Sequence, residues 1–179
     1  PASERTEVRV LFDDAGIYVG FRAWDSEPEK MKIRAIFRDE AGGADELVSL
    51  MLDAYHGQRS AIQFVTNANG LMEDLLQTGE STATRNHDWD AVWYSQGRRL
   101  PDGFEVEVAI PFKSLRFEPP AGSDEILMGI GFKRNIPRKN SAMDEMDATS
   151  APLGMGLLGV RVDRLQAARG DPVRAAGMS

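Results

Sequence analysis

The side chains best suited to chemistry in this sequence are its tryptophans and its carboxylates. Trp89 and Trp93 stand four residues apart in DWDAVW, so a strand there carries both on one face. Exposed indole rings stack on the apolar C–H faces of sugars, for the same reasons of area and geometry that make tryptophan an anchor at interfaces. The same spacing also suits packing between two sheets, where tryptophan is highly buried on average. Trp24 and Tyr55 carry both readings too. Carboxylates crowd the turns, Asp13, Asp14, Asp39, Asp45, Asp88 and Asp90 among them. Two carboxylates facing each other across a cleft at about 5–9 Å can hydrolyse a glycosidic bond. Oxygen ligands from loops can hold calcium, and Asp13, Asp14 and Asp53 are the candidates for such a structural ion, although no EF-hand pattern is present. Turns also attract aspartate for purely backbone reasons.

Other chemistries find less support. The two histidines, His56 and His87, lie in polar stretches. A Ser-His-Asp triad needs a nucleophile, and no GxSxG elbow supplies one. Gly154-Met-Gly156-Leu-Leu-Gly159 matches GxGxxG, but a dinucleotide site needs that pattern between a strand and a helix, and here it leads into the strand-like LGVRV. Cysteine is absent, which removes disulfides, thiol nucleophiles and thiolate metal sites. A net charge of −7 and a pI near 4.9 oppose binding to a phosphate backbone, so no nucleic-acid partner is expected. The local run Lys133, Arg134, Arg138 and Lys139 reads as a solvated basic loop. No catalytic residue is assigned.

The elements that position these groups read as strands. In GFEVEVAIP, Phe104, Val106, Val108 and Ile110 fall on one face and Glu105 and Glu107 on the other, the period of a half-buried strand. Asp102-Gly103 is a turn signal and Pro111 ends the run. Asp88 to Leu115 therefore reads as a hairpin with an aromatic first arm. A second hairpin turns at Asp13 to Gly16, between VRVLF and IYVGFRAW. Ile33, Ala35 and Phe37 suggest a further strand. LVSLMLD is apolar almost throughout and belongs at the centre of a sheet. SAIQFVTN, LMEDLLQ, ILMGIGFKRNI and LLGVRV follow, with one short helical turn near Lys113 to Leu115. Roughly nine or ten strands without a long helix predict an all-β fold, an antiparallel β-sandwich of jelly-roll type. At 179 residues the expected organisation is one domain over 1–162, with 163–179 a linker or frayed tail. No apolar run approaches the ~20 residues of a membrane helix. No signal peptide is visible; the chain opens almost directly on a strand, which leaves room for a targeting segment removed upstream.

Four segments in order, TEVRVLFDDAGIYVGFRAWD, LVSLMLDAYHGQRSAIQFVTNANG, DWDAVWYSQGRRLPDGFEVEVAIPFKSLRF and IGFKRNIPRK, resemble family 9 carbohydrate-binding modules. The resemblance covers about Thr6 to Gly159. It is closest to the variant found near the N-terminus of larger, mostly bacterial exported proteins of unknown function, where a β-barrel-like region follows. It implies a non-catalytic jelly-roll module that binds sugar ends, often carries calcium, and works in the periplasm, at the outer membrane or outside the cell. In sugar-binding members a tryptophan precedes the central strand and an acid sits within it. Here Gly42-Gly43-Ala44-Asp45 makes that approach and Ser49 takes the acid's place. The arginine of the next strand is replaced by an apolar residue in QFVTN, and Ser141 to Gly156 lacks the second platform tryptophan. Asn135 is the polar position that still matches. The expected ligand residues are therefore Trp89, Trp93, Asn135 and Trp24, with carbohydrate and other domains of the same polypeptide as partners. The alternatives are a structural domain that packs on a following barrel-like region, and a glycoside hydrolase.

Overall fold

The computed structural model describes residues 4–13, 15–41, 44–54, 59–78, 85–117, 125–139, 141–145, 156–163 and 174–175, with side chains described up to Lys139 except that of Glu125. Strands follow in the order β1 (Thr6–Phe12), β2 (Gly16–Trp24), β3 (Leu47–Asp53), β4 (Ser60–Thr66), β5 (Glu73–Thr78) and β6 (Arg85–Asn86). Then come β7 (Tyr94–Leu100), β8 (Gly103–Pro111), β9 (Glu125–Ile136), β10 (Ser141–Glu145), β11 (Gly156–Asp163) and β12 (Arg174–Ala175). Among the described residues only short 3-10 turns interrupt them, one of them at Phe112–Ser114. A four-stranded sheet runs β1-β2-β8-β7, and an eight-stranded sheet runs β12-β11-β9-β3-β4-β5-β6, with β10 pairing with β9. Neighbours are antiparallel throughout. The fold is a β-sandwich.

Alternation in the sequence decides which faces meet. Ile17, Val19, Phe21 and Ala23 of β2 and Phe104, Val106, Val108 and Ile110 of β8 point inward and are almost wholly buried. They meet Val48, Leu50 and Leu52 of β3, Ile62 and Phe64 of β4, and Ile126, Met128 and Ile130 of β9 in one cluster. Each such side chain contributes roughly 1.5–3 kcal/mol by leaving water. β3 sits between β4 and β9, the central position its apolar run predicts. Asp13 shapes the first hairpin: its Oδ1 accepts from the N–H groups of Ala15 at 2.8 Å and Gly16 at 3.1 Å.

Three expectations change. Residues 31–36 belong to no sheet. Their backbone groups are satisfied by side chains instead: Asp45 Oδ2 accepts from the N–H of Arg34 at 2.8 Å and of Ala35 at 2.7 Å, and Asn67 Nδ2 donates to the Ala35 carbonyl at 2.9 Å. The aromatic arm of the later hairpin is likewise not a strand, because β7 begins only at Tyr94. The basic run is not a solvated loop. Arg134 is 4% exposed and pairs with Asp25 at 3.5 Å and Glu46 at 3.6 Å. Arg138 also pairs with Asp25 and Glu46, and Lys139 with Glu4. Further along the chain, β12 pairs with β11 through Val162 with Ala175 and Asp163 with Arg174.

Candidate functional site

The outer face of the larger sheet carries a polar depression of about 270 Å³. Register builds it. Lys133, Ser49, Val65 and Glu73 stand opposite one another across β9, β3, β4 and β5. Asn135 lies opposite Leu47 one step along, and Gln63 opposite Leu75 one step the other way. Ala41, Arg85 and His87 close the rim. Strands hold these groups because their inward neighbours are core residues: Ser49 stands between Val48 and Leu50, and Gln63 between Ile62 and Phe64.

Several polar atoms here lack a partner or are poised to shift one. Gln63 is 7% exposed; its Nε2 donates to Ser49 Oγ at 3.2 Å, and its Oε1 is buried with no hydrogen-bond partner. Arg85 Nε is buried and unpartnered as well. A buried polar atom left this way costs roughly 1–3 kcal/mol, which a ligand hydroxyl at the right place recovers. Glu73 Oε2 accepts from the Ala41 N–H at 2.9 Å, and His87 Nδ1 lies 3.7 Å from Oε1. Burial pushes the Glu73 carboxyl above its ordinary range, against the Ala41 hydrogen bond and His87, which pull it down. Asn135 Nδ2 donates to the Asp45 carbonyl at 3.0 Å, which sets the orientation of its amide. The arrangement offers amide, hydroxyl and carboxyl groups to a small polyhydroxylated ligand. Glu73 is the one carboxylate among the residues that line it, so an opposed pair for glycoside hydrolysis is not assembled there.

The four expected ligand residues do not come together. Asn135 lies in the depression. Trp93 is 2% exposed, inside the sandwich, edge-on to Phe64 with ring centroids 5.1 Å apart. Its Nε1 donates to Asp74 Oδ1 at 3.0 Å, so its ring has no open face for a sugar. Trp89 is half-buried against Phe64 at 6.4 Å and borders a different, largely apolar cleft with Leu52, Ile62 and Leu76. Trp24 lies on the four-stranded sheet, with the guanidinium carbons of Arg5 and Arg22 at 4.2 and 4.6 Å from its ring centroid. The two tryptophans of DWDAVW share the Phe64 contact.

Of the calcium candidates, Asp13 and Asp53 fall within the described residues. Asp13 is taken up by its own turn and by Tyr18, whose hydroxyl donates to Oδ2 at 3.2 Å. Asp53 is buried at the end of β3, and Asp14 lies outside the described residues, as do Tyr55 and His56. Among the described residues no three His, Asp or Glu side chains gather closely enough to hold a metal ion. Of the GxGxxG run, Gly156 to Gly159 fall within β11, while Gly154 and Met155 lie outside the described residues. Sequence reasoning passed over Gln63 and Glu73. The signal for them was register: Glu73 falls in the row of Ser49, and Gln63 in the row beside it, only once β3, β4, β5 and β9 are paired.

This is a β-sandwich with a polar depression on the outer face of one sheet. A family 9 carbohydrate-binding module from Caldicellulosiruptor kristjanssonii, solved with cellotriose, superimposes with a TM-score of 0.58 at 17% identity, covering 94% of this chain and 80% of that one. Its structure with glucose gives 0.56 at 16% identity over 90% and 78% of the two chains. A candidate carbohydrate-binding protein from Bacteroides uniformis gives 0.62 at 14% identity over 89% and 79%. No protein-family model and no curated protein matches the chain. The chain thus has the fold of family 9 modules. Among the described residues no helix is long and apolar enough to cross a membrane.

Proposed function

We propose that this chain is a non-catalytic carbohydrate-binding module, and that the depression over Ser49, Gln63, Glu73 and Asn135 receives a single sugar ring or the end of a sugar chain. The observation that carries the reading is Gln63. A 7%-exposed amide with an unpartnered Oε1 lines a depression in a fold whose solved neighbours hold glucose and cellotriose. The volume of about 270 Å³ suits one ring better than a long chain. Asn135 and Gln63 would exchange hydrogen bonds with ring hydroxyls, and Glu73 would accept from one of them. The same reading places the module in a larger exported protein.

Isothermal titration with glucose, xylose, galactose, mannose and their β-linked disaccharides tests this. At least one binds the parent protein, and Asn135→Ala weakens it at least tenfold while the far-ultraviolet circular dichroism stays that of the parent. Heatless titrations across the panel would withdraw the sugar reading and leave the structural one. That second reading draws on one observation: no Phe, Tyr or Trp lines the depression among the described residues. Release of reducing sugar from any of the disaccharides would overturn the non-catalytic assignment.

A further inference from the structure

The outer face of the four-stranded sheet carries a second and larger trough, of about 620 Å³, which shares no residue with the first. Its walls come from one cross-strand row. Leu11, Tyr18, Ala109 and Tyr94 stand directly opposite one another across β1, β2, β8 and β7. Tyr18 is 37% exposed, Tyr94 60% and Leu11 70%. The two tyrosines flank Ala109 from neighbouring strands, so their backbones lie two strand spacings apart, roughly 10 Å. The next row is Arg9, Gly20, Glu107 and Gln96. The floor between the phenol rings thus consists of a methyl group and a bare glycine.

Gly20 is the telling residue. Glycine inside a strand weakens it, and is kept where something approaches the backbone closely. Nothing in this fold does so: a Cβ built on Gly20 meets no atom within 4 Å. The residue leaves open space on the outer face, and the space is walled by two rings. Tyr18 is steadied by its hydroxyl, which donates to Asp13 Oδ2 at 3.2 Å. Arg9 is engaged with Glu7 at 2.7 Å. Gln96 and Glu107 are exposed, and no hydrogen bond or ion pair holds them among the described residues. An amide and a carboxylate at the foot of two aromatic walls can take the paired hydroxyls of a sugar while the rings cover its apolar faces.

We infer that this trough is a second binding site, for a neutral oligosaccharide laid across β2, β8 and β7 between Tyr18 and Tyr94. A protein partner would meet a continuous apolar centre with a polar rim; here only a methyl group and a bare glycine lie between the aromatic walls, and a polar row runs directly beside them.

The test is isothermal titration with cellohexaose, xylohexaose and mannohexaose, with Asn135→Ala as the background in which the first site is disabled. In that background at least one hexasaccharide still binds. Adding Tyr94→Ala, or separately Gly20→Leu, weakens it at least tenfold. Tyr94 is exposed and Gly20 faces open space, so both variants keep the thermal midpoint of their background, and Gly20→Leu blocks the floor without removing any group. Hexasaccharide binding unchanged by both variants overturns the inference, as does its complete absence in the Asn135→Ala background. Self-association of the parent in sedimentation equilibrium that Tyr94→Ala abolishes also overturns it, because a second copy then covers this face. None of these results bears on the first site, whose failure would instead leave monosaccharide and disaccharide binding insensitive to Asn135→Ala.

Discussion

Asp74 shows how a tryptophan with a ligand-like spacing becomes a core residue. Its side chain is wholly buried, a costly place for a charge unless every oxygen is engaged. Trp93 Nε1 donates to Oδ1 at 3.0 Å, the Ala91 N–H donates to Oδ2 at 2.6 Å, and Arg38 completes the set from the half-open side. Trp93→Phe keeps a ring in the core but removes one donor from this carboxylate. We expect a loss of about 1–3 kcal/mol in urea unfolding, with sugar affinity unchanged. Gln63 should behave in the opposite way. Gln63→Leu removes a buried acceptor that has no partner, at the expense of the hydrogen bond to Ser49, so folding stability changes by less than about 1 kcal/mol while sugar affinity falls at least tenfold. A measured loss of stability as large as that of Trp93→Phe would mean that the amide is structural.

At the scale of elements, β9 ties the two sheets together. Arg134 near its end donates to the carbonyls of Trp24 at 2.7 Å and Arg5 at 3.3 Å and to Thr6 Oγ1 at 3.2 Å, while pairing with Asp25 and Glu46. One guanidinium thus joins the end of β2 and the start of β1 to the opposite sheet. Burial pulls the Arg134 guanidinium below its ordinary value, and Glu46 and Asp25 act against that pull. Arg134→Met should cost about 3–5 kcal/mol, because it leaves Asp25 and Glu46 buried with Arg138 alone; the urea midpoint reads it. The strands themselves were legible from the chain: alternation in GFEVEVAIP, the Asp13 turn and the apolar run of β3 all appear where expected. Residues 31–36 were not, because a strand and an unpaired segment held by Asp45 and Asn67 can share one apolar pattern. The basic run was misread for a similar reason. Nothing local distinguishes a solvated arginine from one such as Arg138, which meets Glu4, Asp25, Glu27 and Glu46.

For the molecule as a whole, the buried carboxyls pull stability in two directions with pH. Burial raises the Glu4 carboxyl, but hydrogen bonds from Lys139 and Ser26 outweigh it and hold the group at about 2, below its ordinary 4.5. The unfolded chain therefore binds the proton first. Glu4 contributes stability that is present above about pH 4.5 and is lost as pH falls toward 2. Glu46 and Glu73 act in the other sense: burial raises both, so the folded state holds their protons longer, and stability falls as pH rises above 4.5 through their raised values. Glu73→Gln should remove part of that second loss, giving a flatter thermal midpoint on the alkaline side of pH 4.5, while Glu4→Gln should lessen the drop on the acid side. Thermal melts across pH 3 to 8 compare them. An unchanged profile in Glu73→Gln would show that its carboxyl is ionised in the folded protein as in water.

What the chain determined by itself was the class of fold and the faces of its strands, because period-two alternation and turn residues act over a few neighbouring positions. The order of resembling segments carried the family 9 likeness as far as the sandwich, and Asn135 as far as the outer face of one sheet. Tertiary structure decided the rest. Trp93 went inward because Asp74 and Phe64 wait for it there, and neither is near it in sequence. Gln63 and Glu73 joined Asn135 only through the register of β3, β4, β5 and β9. Tyr18, Gly20 and Tyr94 became a trough only when β8 came to lie between β2 and β7. A site is a set of distances between residues far apart in the chain, and those distances exist only once the strands have paired.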